Sequence, residues 1–61
     1  MAVIFEDDKG YRHELIAQVD SDLGGVELFY YLDAELFTLW LDADNARALA
    51  QEITRLVENQ P

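Results

Sequence analysis

Sixty-one residues with 13 Asp and Glu against 4 Lys and Arg carry a formal charge of −9 at pH 7. Phosphate backbones and anionic membrane surfaces select for Lys and Arg, so this balance argues against direct nucleic-acid or membrane binding. An apolar content of 51% is too high for a disordered acidic tail, and the absence of Cys excludes a disulfide framework and a thiolate metal site.

The alternation of apolar and polar residues predicts four strands, followed by a 3.6-residue period that predicts one helix. The first strand is 2–6, and the polar cluster Asp7-Asp8-Lys9-Gly10 turns it back, with Gly10 free to take positive φ. The second strand, 11–20, places Tyr11, His13, Leu15, Ala17 and Val19 on one face and Arg12, Glu14, Ile16 and Gln18 on the other. After a break at 21–25, the third strand, 26–33, alternates Val26, Leu28, Tyr30 and Leu32 with Glu27, Phe29 and Tyr31. A short turn at Ala34-Glu35 leads to the fourth strand, 36–41, where Phe37, Leu39 and Leu41 oppose Leu36, Thr38 and Trp40.

Asp42 is placed to cap the helix, and Asp44 to favour the positive end of its dipole. Ala46, Leu49, Ala50, Ile53, Leu56 and Val57 form its apolar stripe. The pattern fades at Asn59-Gln60-Pro61, where Pro61 could not continue a helix. Consecutive hairpins then pair Val19 with Val26 and Ile16 with Phe29, and a two-residue turn pairs Asp33 with Leu36, Tyr30 with Leu39 and Phe29 with Trp40.

The expected architecture is a single α+β domain over residues 1–61, a four-stranded antiparallel meander with one C-terminal helix packed on one face (ββββα). One helix covers one face. The aliphatic face is its natural bed, which leaves Ile16, Phe29, Tyr31, Leu36 and Trp40 as a partner interface on the other. Val3 and Phe5, or Ala2 and Ile4, join the helix side according to whether a bulge forms at Gly10.

Two aromatics bury roughly 300 to 500 Å², worth about 8 to 12 kcal/mol gross, which is comparable with the rigid-body cost of association. A protein partner is therefore expected, in its simplest form a homodimer. A domain of this size hides only about 60% of its unfolded surface, which makes oligomerisation the obvious supplement. The fourth strand, an edge without charge or Pro over 36–41, offers a second route to self-association.

Other chemistry finds little support in the residues. Asp7 with Asp8, Asp20 with Asp22, and Asp42 with Asp44 read as turn and cap residues, and 20–31 lacks the ligand pattern of an EF-hand, so no metal and no cofactor is expected. His13 is the sole imidazole and Ser21 the sole serine, in a turn, so no catalytic residues are assigned and the chain is expected not to be an enzyme.

Exposed sheet aromatics suit stacked RNA bases, yet Glu14, Glu27, Asp33 and Asp42 surround them. An acidic surface at Glu6, Asp7, Asp8, Asp20, Asp22, Glu27, Asp42 and Asp44 gives an alternative. In size and charge the chain resembles small acidic phage and mobile-element inhibitors, including DNA mimics and some anti-CRISPR proteins. That resemblance implies an inhibitor that presents carboxylates to the basic groove of a nucleic-acid-binding protein. No basic segment precedes an apolar run and none approaches the roughly 18 residues of a span, so a cytoplasmic protein is expected. A single Lys beside 7 Ala and 9 Leu is compatible with a GC-rich bacterial or phage genome.

Overall fold

The computed structural model describes residues 2–60. Strands β1 (Ala2–Glu6), β2 (Arg12–Val19), β3 (Val26–Leu32) and β4 (Glu35–Leu41) form one antiparallel sheet in chain order, and helix α1 (Ala43–Glu58) follows. The ββββα order is the one expected from the alternation. The expected stop at Pro61 lies outside the described residues.

Each connection has a local cause. At the β1–β2 loop, Asp7 Oδ1 accepts from the backbone N–H of Lys9 (2.9 Å) and of Tyr11 (3.0 Å), and Gly10 takes φ 84°. Residues 7–11 therefore all belong to the loop, Glu6 pairs with Arg12, and Val3 and Phe5 point to the helix side with Leu15 and His13. Asp20 Oδ1 likewise accepts from Asp22 and Leu23, and Gly24 and Gly25 both adopt positive φ.

The β2–β3 register is the expected one, with Val19 opposite Val26 and Ile16 opposite Phe29. The β3–β4 register differs by two residues. Leu32 pairs with Glu35, Tyr30 with Phe37, and Phe29 with Thr38, so Trp40 stands opposite Glu27 and not Phe29. The cause is Asp33, which itself enters the left-handed region at φ 51° and starts the turn one residue early. A shift of two leaves every side chain on its expected face.

Asp42 is the single residue between β4 and α1. Its carboxylate accepts from Asn45 N (2.8 Å) and Asn45 Nδ2 (3.1 Å), and its carbonyl accepts from Ala46 N (2.9 Å). Asp44 in the first turn and Arg55 in the last complement the dipole. The helix lies on the side of the aliphatic face, yet its contact with the sheet is slight and made chiefly to β4.

The consequence is that the described residues enclose no core. No described residue is buried; Leu39 and Ile53 are each 54% exposed and Val19 is 77% exposed. The accessible surface is 5114 Å², against about 4,000 Å² for a compact folded monomer of this mass. The radius of gyration is 13.4 Å, where about 10.5 Å is usual for this length. The body measures 36 × 35 × 15 Å, broad and thin.

Candidate protein interface

Strand alternation assigns fourteen positions to the helix-side face: Val3 and Phe5; His13, Leu15, Ala17 and Val19; Val26, Leu28, Tyr30 and Leu32; Glu35, Phe37, Leu39 and Leu41. Glu35, at the start of β4, is the one carboxylate among them. Between this face and the helix lie two adjoining hollows of about 360 and 370 Å³. Ala17, Leu28, Leu49 and Ile53 line both, with Val26 and Leu41 at one end and Val3 and Leu15 at the other.

The opposite face carries the residues expected to bind a partner. Ile16 and Phe29 pair at its centre and are half-buried, Tyr31 pairs with Leu36, and Trp40 lies diagonally from Phe29. Trp40 is 42% exposed, and its indole Nε1 donates to the Gly24 carbonyl at 2.9 Å, tying β4 to the β2–β3 loop. Glu6, Arg12, Glu14 and Glu27 share this face, so it is far more charged than the helix side. Arg12 lies 3.6 Å from Glu14.

Seven of the eight carboxylates expected to form an acidic surface divide between the two ends of the sheet. Glu6, Asp7 and Asp8 stand at the β1–β2 loop, whereas Asp20, Asp22, Asp42 and Asp44 stand at the end where Val19, Val26 and Leu41 pair; Glu27 lies beside Trp40. Asp7, Asp20 and Asp42 are occupied as turn and cap acceptors. Asp44 lies 3.1 Å from Arg47.

One arrangement was not foreseen. On the helix-side face, Phe5, His13, Tyr30 and Phe37 stack in a row across all four strands, with successive ring centroids 4.8, 5.8 and 5.8 Å apart. His13 Nε2 lies 2.8 Å from Asp7 Oδ2, and Nδ1 lies 2.6 Å from the Tyr30 hydroxyl. An ionised carboxylate only accepts, so Nε2 carries a proton to Asp7; in the neutral ring, Nδ1 then accepts from the Tyr30 O–H. The network fixes the His13 ring between Phe5 and Tyr30 in the row. Alternation already placed the four rings on one face, but the Asp7 contact depends on the loop folding back toward β2.

The hydrogen bond from His13 is the main cause that holds the Asp7 carboxyl below its ordinary value, and the Tyr11 and Lys9 amides add to it. A lowered folded-state value stabilises the fold fully above the unfolded carboxylate range, and that contribution is lost as pH falls through the lowered value. Asp7→Asn is therefore expected to flatten the acid limb of melting temperature against pH, below the unfolded carboxylate value of about 4. An unchanged limb in thermal melts would exclude this role for Asp7.

No protein-family model, curated protein or solved structure matches the chain. No helix of the described residues is long and apolar enough to cross a membrane.

Proposed function

We propose that the chain is a non-enzymatic protein-binding module whose fold is completed by another polypeptide chain. The observation that carries this reading is that no described residue is buried, although half the sequence is apolar. Exposed apolar surface on this scale marks an interaction site in a folded protein. Binding is driven by apolar burial, and the acidic ends of the sheet select against acidic partners and steer basic ones.

Ile16, Phe29, Tyr31, Leu36 and Trp40 offer a second, smaller surface on the opposite face. Its mixture of aromatics and charges suits a contact that forms after the core is complete. Capture of bound proteins from the native host, at about 50 mM and about 1 M salt, tests the reading, because screening removes charge-driven complexes and leaves apolar ones intact. The expected result is a complex retained at high salt. A chain that melts cooperatively as a 7.0 kDa monomer and retains nothing at high salt would refute it.

A further inference from the structure

We infer that a second copy of this chain seals the helix-side face, the apolar stripe of each helix packing on the open sheet face of the other in a two-fold dimer. This rests on the reading above and names the occupant and the face. Three observations carry it.

The first is area. Two separate copies at 5114 Å² each expose about 3,500 Å² more than the roughly 6,700 Å² of a compact body of twice the mass. That difference lies within the roughly 2,000 to 5,000 Å² buried in obligate homodimers. A smaller ligand in the hollows of about 360 and 370 Å³ would leave Phe37, Leu39, Leu56 and Val57 in water.

The second is charge. A chain of net charge −9 repels its own copy, so self-association needs a contact from which charge is excluded. The helix-side face meets that condition over its centre, with Glu35 and the Asp7 carboxylate that holds His13 at its edge as the exceptions, whereas the opposite face presents three glutamates and an arginine.

The third is self-complementarity. One chain carries both an apolar ridge, Leu49, Ile53 and Leu56, and an apolar bed centred on Leu28, and the two do not close on each other. The hydrogen bonds at Asp42 set the angle at which the helix leaves β4. A two-fold operation brings each ridge to the other copy's bed, which is the requirement for an isologous interface.

Sedimentation velocity on the full chain, with isotope-filtered NOEs on a mixture of labelled and unlabelled chains, tests the assignment. The expected result is a species of twice 7.0 kDa with inter-chain NOEs from the methyls of Leu28, Leu39 and Ile53. Ile53→Asp is expected to weaken self-association roughly 100-fold or more, since it places an unpaired charge in the seal. Ile4→Asp, on the opposite face, is expected to leave the mass unchanged.

Inter-chain NOEs confined to Ile4, Ile16 and Thr38 would overturn the choice of face while keeping a self-partner. A 7.0 kDa species without a cooperative melt would overturn the second copy and leave the need for some other chain standing. A 7.0 kDa species with a sharp melt would overturn both. If Ile53→Asp fails to fold, the NOE pattern of the unmodified chain still decides.

Discussion

Gly25→Ala is expected to destabilise the fold by about 2 to 4 kcal/mol, enough to unfold most of a marginally stable small domain. Two effects combine at this position. Gly25 sits at φ 78°, where an L side chain costs roughly 1 to 2 kcal/mol. A Cβ there would also lie 2.3 Å from the Leu41 carbonyl oxygen and 3.1 Å from Asp42 Cα, which are backbone atoms that cannot turn aside. The same methyl would meet Trp40 Cζ2 at 3.2 Å, on the ring whose N–H holds Gly24. Displacing β4 at this point moves the junction from which the helix departs, so sheet and helix lose their relation together. Gly10 and Gly24 provide the control, because both have positive φ but open space where a Cβ would stand. Each is expected to cost only about 1 kcal/mol as Ala. Urea titrations followed by circular dichroism would measure the three, and equal losses would show that the close approach to β4 does not matter.

That close approach was not legible in the residues, whereas the faces of the strands were. Side-chain direction has a period of two, so the shift from Asp33 opposite Leu36 to Leu32 opposite Glu35 moved partners without moving any residue across the sheet. The shift itself had no strong signal, since Asp33-Ala34-Glu35 contains no Gly or Asn to mark the left-handed position. Likewise, the side taken by Val3 and Phe5 depended on whether Gly10 formed a bulge or closed a five-residue loop, and the Asp7 carboxylate decided it. The helix is the more instructive case. Its stripe of Ala46, Leu49, Ala50 and Ile53 identifies which side is apolar, but the same pattern serves a helix packed on its own sheet and one that waits for another chain. Distance from the sheet leaves no mark on periodicity. The expectation of a partner interface at Ile16, Phe29, Tyr31, Leu36 and Trp40 started from a helix that closes the aliphatic face; with that face open, the larger apolar surface lies on the helix side.

If folding and pairing are one event, the melting temperature is expected to fall by roughly 5 °C for each tenfold dilution of the chain. The size follows from two quantities. A tenfold change in concentration is worth about 1.4 kcal/mol for a two-chain species. The unfolding entropy of two 61-residue chains is roughly 0.26 kcal/mol per kelvin, taking about 2.1 cal/mol/K per residue. Between about 100 and 1 µM the midpoint should therefore drop by roughly 10 °C in scanning calorimetry or circular dichroism. A chain that closes its own core gives one midpoint at all concentrations, and that outcome would reject coupled folding. Salt separates the forces within the same experiment. Two copies at −9 repel each other at long range, and screening reduces that repulsion while leaving apolar burial in place. Added salt is thus expected to raise the midpoint and keep the dilution slope, whereas a pairing held by ion pairs would melt lower as salt increases.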